Sequence, residues 1–313
     1  MRKLRMEGLV AALACAAVAG SRAGAPVAAL ADETAGEVGA AQAEYGAMSI
    51  SNAVVELYKT SFVYTSNEVP QNVIVKLNGE TLTKDVDYTV EYDGLIEVGT
   101  HTATITGIGN YNGKITYSFE IVHIQYPDVP LDSWVVQGGY IDTVSCLSLM
   151  TGYSNGNFGP NDAVTRGQVA TVIYRYATSD YQGGGTSTTF SDVPSGAYYT
   201  AAVEWCYANG IVTGYGDTGT FGPENAVTRE ELATMLARFA AWYGISTTEG
   251  DTSSFPDAAS ISDFAKEAVG WCNARGIMTG DSVTHNANPK DGATRAQMAK
   301  MLAVFVTDVN PKQ

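Results

Sequence analysis

The stretch Thr228-Arg229-Glu230-Glu231-Leu232-Ala233-Thr234-Met235-Leu236-Ala237-Arg238-Phe239 decides the fold of more than half of the chain. Thr followed three residues later by Glu is a capping box: the hydroxyl accepts from the N3 amide while the N3 side chain returns to the cap. A helix therefore starts at Thr228. Leu232, Met235, Leu236 and Phe239 then fall at i, i+3, i+4 and i+7, one apolar face of that helix. The signature recurs as Thr165-Arg166-Gly167-Gln168 before Val169, Val172, Ile173 and Tyr176, and as Thr294-Arg295-Ala296-Gln297 before Met298, Met301, Leu302 and Phe305. The three arginines are 63 and 66 residues apart, so the pattern is an internal repeat, which takes precedence over any local motif.

Outward from these helix starts the copies stay in step. Asp128-Val129-Pro130, Asp192-Val193-Pro194 and Asp257-Ala258-Ala259 open them. Met150-Thr151-Gly152, Val212-Thr213-Gly214 and Met278-Thr279-Gly280 follow, and Pro160, Pro223 and Pro289 each stand six residues before the Arg. Each copy reads as helix, long loop, helix, over 126–177, 190–243 and 255–306. Three apolar faces can cover one another about a common axis, which makes this part all-α. In the first helices Cys206 and Cys272 stand beside Ala202, Val203 and Ala268, Val269, the place of buried free thiols. With Cys146 they form an odd set of three, read as core residues and not as a disulfide framework.

Arg at the first helical position opposes the helix dipole, at a cost of roughly 0.3 to 1 kcal/mol. The chain repeats this at Arg166, Arg229 and Arg295. A helix start with free amides and a guanidinium is a seat for a carboxylate or phosphate, so these arginines and their caps Thr165, Thr228 and Thr294 are candidate ligand contacts. The alternative is pairing with a neighbouring acid, such as the Asp that opens the next copy. Gly152, Tyr153, Gly214 and Tyr215 join the candidates from the loops ahead of the helix starts. Trp134 and Tyr198, with Phe264 as the corresponding third, could stack on sugar rings if exposed. Rings this close to an apolar helix face usually anchor it, and packing is the preferred reading for each.

At this point the copies resemble S-layer homology (SLH) domains. The resemblance rests on Phe190-Ser191-Asp192-Val193-Pro194, on the loop Gly214-Tyr215-Gly216-Asp217-Thr218-Gly219-Thr220-Phe221-Gly222-Pro223 and on the Thr-Arg-Glu-Glu helix start, and it covers residues 126 to 306. It implies one pseudo-threefold helical unit whose grooves between repeats bind secondary cell wall polysaccharide, often carrying a pyruvate ketal whose carboxylate suits the Arg. Gln168 and Gln297 depart from the usual Glu but still suit a cap. Copy three, Gly280-Asp281-Ser282-Val283-Thr284-His285-Asn286-Ala287-Asn288-Pro289, lacks the aromatic-Gly-Pro loop. Arg295, which follows that loop in sequence, is therefore expected to contribute least.

Residues 49–123 have another texture. Val73-Ile74-Val75-Lys76-Leu77, Tyr88-Thr89-Val90-Glu91-Tyr92, Thr102-Ala103-Thr104-Ile105-Thr106 and Ile115-Thr116-Tyr117-Ser118-Phe119-Glu120-Ile121 alternate apolar and polar, with turn signals at Asn78-Gly79, Asp93-Gly94 and Asn112-Gly113. They predict a small all-β sandwich. Asp87 to Tyr92, Gly109-Asn110-Tyr111-Asn112-Gly113 and the closing strand resemble the immunoglobulin-like modules of bacterial surface proteins. Before it, Arg2, Lys3 and Arg5, an apolar run from Leu9 to Ala19 and Ala29-Leu30-Ala31 read as an export signal over 1–31, and 32–48 as a flexible spacer. The expected organisation is multidomain.

With 18 Lys and Arg against 33 Asp and Glu the formal charge is -15, which argues against a general grip on nucleic acid. No segment after the signal suits a membrane span. His101, His123 and His285 are scattered and no catalytic, nucleotide-phosphate or EF-hand motif occurs, so no enzyme, cofactor or metal is expected. The reading is a secreted protein of the cell surface, anchored in the cell wall by polysaccharide binding through its repeats. The alternative is an adhesin whose sandwich self-associates or binds a surface ligand while the repeats display it. A wall-remodelling enzyme ranks third.

Overall fold

Asn78 and Gly79 take φ of 52° and 89°, the two left-handed positions that a two-residue hairpin turn needs to match strand twist. They join β4 (Val73–Leu77) to β5 (Glu80–Thr81), in register Leu77 with Glu80. β2 (Val54–Leu57) pairs antiparallel on the other side of β4. A second sheet has the order β3 (Ser61–Val63), β9 (Lys114–Val122), β7 (Gly99–Gly107), β6 (Tyr88–Tyr92). In it β3 runs parallel to β9 and the other pairs are antiparallel. A short parallel pair, β1 (Met48–Ser49) with β8 (Tyr111–Asn112), completes the strands, so Met48, assigned to the spacer by sequence, already belongs to one. Val55, Val73, Val75 and Leu77 from the first sheet bury against Tyr88, Ile105 and Ile115 from the second. The Tyr88 hydroxyl donates to the Val73 carbonyl oxygen at 3.0 Å, tying the sheets together. Asp93-Gly94 is not a tight turn: residues 93–98 form a longer loop, and Asp93 Oδ1 accepts from the Thr102 amide at 2.8 Å.

This is a computed structural model, and it describes residues 47–309 except Tyr58, Ser66, Pro70, 179–182 and Thr188. The expected export signal and the spacer up to residue 46 lie outside the described residues. Two compact units meet in sequence at Ile124 and Gln125. The first is the strand-rich region above; the second is helical.

The three long helices α3 (Arg166–Ala177), α5 (Arg229–Trp242) and α7 (Arg295–Val304) begin where the capping signals place them, with both halves of the box formed at Thr165, Thr228 and Thr294. The first helix of copy one is split by Gly138-Gly139 into α1 (Trp134–Gln137) and α2 (Tyr140–Cys146), Gly139 having φ 67°. Copies two and three have single helices, α4 (Thr200–Ala208) and α6 (Lys266–Ala274). The packing passes between copies: α3 lies on α4, α5 on α6, and α7 on α2. All twelve apolar positions read from the three periodic faces are buried in one core. Tyr176, Phe239 and Phe305, equivalent in the repeat, meet pairwise with ring centroids 5.4 to 6.1 Å apart. Just before the helix starts, Val227 N donates to Val164 O, Ala293 N to Val227 O and Val164 N to Ala293 O, at 2.8 to 3.0 Å, a closed ring of three bonds. A single repeat could bury neither its helix faces nor these amides alone. Cys206 and Cys272 are free and fully buried, and burial pushes both thiols up. Cys146 is half-buried and is not a free thiol, which corrects its reading together with the other two.

Candidate functional site

The Asp that opens each copy organises that copy's long loop. Asp128 takes the amides of Phe158 and Gly159 on its two carboxylate oxygens at 2.8 and 2.7 Å, Asp192 those of Phe221 and Gly222, and Asp257 those of Ala287 and Asn288. Burial raises the Asp128 pKa, but the two amides and the Arg295 charge outweigh it and hold the carboxyl below its ordinary value.

The carbonyls of the same loops receive the arginine of the preceding copy. Arg166 Nε donates to Phe221 O at 2.8 Å, Arg229 Nε to Ala287 O at 2.7 Å, and Arg295 Nε to Phe158 O at 2.7 Å. One terminal nitrogen adds a bond in each case: Arg166 to Glu231 Oε1 at 2.8 Å, Arg229 to Thr279 O at 3.2 Å and Arg295 to Thr151 O at 2.9 Å. All three arginines are buried, at 6 to 8% exposure. The first two helix amides are taken as well, Arg166 N by Asn225 O and Gly167 N by Pro223 O, with the same pattern at Arg229 and Arg295. The third amide goes to the capping Thr. The amides that sequence reasoning left free for an anion are thus engaged, and converging carbonyl dipoles compensate the arginine against the helix dipole.

Because the contacts pass from copy to copy, the loop lacking aromatics meets Arg229, not Arg295. The Arg166 guanidinium carbon lies 4.4 Å from the Tyr215 ring centre and 4.8 Å from that of Phe221, and Arg295 lies 4.7 and 4.8 Å from Tyr153 and Phe158. Among the described residues no ring covers Arg229, since Asp281 and Ala287 occupy those places. The expectation that Arg295 is the odd arginine followed sequence order and is corrected to Arg229.

Three grooves result, each lined by parts of three copies. The first, about 150 Å³, combines Arg295, Thr151, Gln168, Arg175 and Tyr198. The second, about 770 Å³, combines Arg166, Gly214, Tyr215, Glu231, Arg238 and Phe264. The third, about 570 Å³, combines Arg229, Asp281, Gln297, Lys300 and Trp134. Trp134, Tyr198 and Phe264 are 53, 46 and 58% exposed. Their placement is open to solvent, contrary to the preferred packing reading. Tyr153 is exposed too, and its hydroxyl donates to Asp162 Oδ2 at 3.0 Å. Gly152 and Gly214 serve the loop: a Cβ on either would meet Tyr126 or Phe190 at 2.6 or 2.5 Å. Thr165 and Thr294 act as caps beside the grooves, and Thr228 lines the second.

The sequence reading missed a second cation in every groove: Arg175, Arg238 and Lys300. The first two lie nine residues beyond their capping arginines, a signal present in the sequence, but copy three has Val304 there and Lys300 one turn earlier. Burial, then the Arg166 charge, lower the Arg238 pKa; burial, then Arg229, lower that of Lys300. In the second and third grooves the two cations are therefore close enough to repel. Among the described residues no cluster of His, Cys, Asp and Glu could hold a metal ion, and no helix is long and apolar enough to cross a membrane.

Residues 125–170, 189–233 and 254–299 match the S-layer homology domain. The chain carries three S-layer homology repeats. It is 29% identical over 164 residues to a "Surface-layer 125 kDa protein" of Lysinibacillus sphaericus, covering 52% of this chain and 13% of that one. It is 34% identical over 101 residues to a "Middle cell wall protein" of Brevibacillus brevis, covering 31 and 9%, and 30% identical over 191 residues to an "Endoglucanase" of a Bacillus species, covering 59 and 19%. The chain thus spans less than a fifth of each of these relatives.

Proposed function

We propose that this is an exported surface protein whose three SLH repeats form a pseudo-threefold unit that holds it non-covalently in the cell wall. The ligand is secondary cell wall polysaccharide, with an acidic substituent such as a pyruvate ketal. The observation that carries this reading is the recurrence, in every groove, of an exposed ring from one copy, a loop from another and two cations. An exposed aromatic offers a face to a sugar ring, and paired cations on a chain of net charge -15 offer an anion a local seat. The relatives named for a surface layer and the cell wall support this location. The likeness to an endoglucanase is confined to 19% of that protein and brings no catalytic function with it. The strand-rich unit is an immunoglobulin-like sandwich that the anchor displays.

Calorimetry with polysaccharide released from the walls of the source cells tests the proposal. Saturable binding, accompanied by a change in tryptophan emission that is lost in Trp134→Ala, is expected. Absence of binding contradicts it.

A further inference from the structure

Trp134 and Tyr198 each lean on a ring of their own copy, Tyr140 with centroids 6.1 Å apart and Tyr199 at 4.9 Å. Phe264, the exposed ring of the second groove, has no such neighbour among the described residues. It also stands seven residues after its opening Asp257, against six from Asp128 to Trp134 and from Asp192 to Tyr198. Its place in the groove therefore depends on how the backbone before it is held.

Glu230 holds that backbone. Its Oε2 accepts from the Ser262 amide at 2.9 Å, and its Oε1 accepts from the Ser262 hydroxyl at 2.9 Å and from Lys290 Nζ at 2.6 Å. Lys290 Nζ also donates to Ser262 Oγ, which closes the cluster. Ser262 stands at the start of the 3-10 turn Asp263–Ala265 that carries Phe264. The Glu230 amide donates to Pro289 O at 3.1 Å, so backbone and side chain of this residue both grip copy three. The carboxylate is buried, and without it the Ser262 amide loses its acceptor.

Neither of the other grooves repeats the clamp. Gly167 stands at the position of Glu230 in copy one, where a Cβ would meet Pro223 O at 2.9 Å and the Tyr199 ring at 3.1 Å. Ala296 stands there in copy three. Ser133, at the start of the helix that carries Trp134, has its hydroxyl buried without a hydrogen bond among the described residues.

Resting on the polysaccharide reading above, we infer that Glu230 is a positioning residue: through Ser262 it sets Phe264 in its binding posture before a glycan arrives, which makes the second groove the pre-organised one. The Phe264 ring receives the face of a sugar. The Glu230 oxygens are engaged by Ser262 and Lys290 and act on the glycan only through that ring. Ordering done in the folded protein is not charged to binding.

The test follows the Phe264 ring itself. The full chain is made with 4-fluorophenylalanine, the fluorine resonance of this ring is identified by its loss in Phe264→Leu, and native secondary wall polysaccharide is titrated in. The wild type should show a narrow resonance that shifts on binding. Glu230→Ala should move or broaden it before polysaccharide is added and weaken the affinity it reports by about threefold to tenfold, the effect of ordering one ring-bearing segment on binding. Glu230→Gln keeps an acceptor for the Ser262 amide and should restore most of both. The resonances of the buried Phe239 and Phe305 report whether the core is intact. If Glu230→Ala disturbs them, Ser262→Ala, which drops only the hydroxyl, takes its place with a smaller change in the same direction. An unchanged Phe264 resonance and affinity in the folded variant overturns the inference, and so does a changed resonance with unchanged affinity. Binding by the wild type without any response of the Phe264 ring overturns it too, while the anchoring reading stands. Failure of the wild type to bind native polysaccharide at all overturns both.

Discussion

Arg295 Nε donates to the carbonyl of Phe158, 137 residues earlier in the chain, at 2.7 Å. Through this bond the third copy grips the first, as the first grips the second and the second the third. The repeats close head to tail, and the grooves exist only because they close.

Breaking one clasp should therefore weaken the whole helical unit. Arg295→Ala leaves the carbonyls of Phe158 and Thr151 without their donor and removes the cation from beneath two rings, a loss of about 3 kcal/mol. Arg229→Ala breaks bonds of the same kind but no ring contact and should cost less, about 2 kcal/mol. Urea unfolding of the two variants checks the order. Equal stability of both with the wild type would show that the clasps do not hold the ring together.

The opening aspartates should set the acid limit of the fold. Asp128 has a folded pKa below its ordinary value of 3.8, so its contribution is present above that value and is lost as pH falls through the lower folded one. Stability should drop below about pH 4, and Asp128→Asn should flatten that decline. Asp192→Ala, which strips two loop amides of their acceptor, should cost about 2 kcal/mol at neutral pH. Unfolding midpoints from pH 2 to 7 decide both; an Asp128→Asn variant with the wild-type acid limb would contradict the assignment.

What the sequence made legible was local. The capping boxes at Thr165, Thr228 and Thr294 and the apolar faces behind them depend on residues within one or two helical turns, and helix starts and core follow from them directly. Contacts between copies were not legible. The loop before Arg295 lies next to it in sequence, yet the fold hands that loop to Arg229, because the second helix of each copy packs on the first helix of the next. The same hand-over brings Trp134 from copy one into the groove of copy three and leaves its ring exposed, whereas proximity to an apolar helix suggested packing. Lys300 escaped notice because it replaces a threonine and not the equivalent of Arg238, so no column of the repeat marks it.

Division of labour gives a further expectation. The strand-rich unit has its own cores, built from residues between Ile50 and Ile121, and shares no repeat with the helical unit. Deleting residues 49–122 should leave wall binding unchanged within twofold in a sedimentation assay. A collapse of binding in the folded deletion variant would make the strands part of the binding surface.

The central claim is tested most directly by sedimenting the protein with native walls of the source cells and with walls stripped of secondary polysaccharide. The account expects retention on native walls, release as salt is raised, and little retention on stripped walls. Equal retention on both kinds of wall would contradict it.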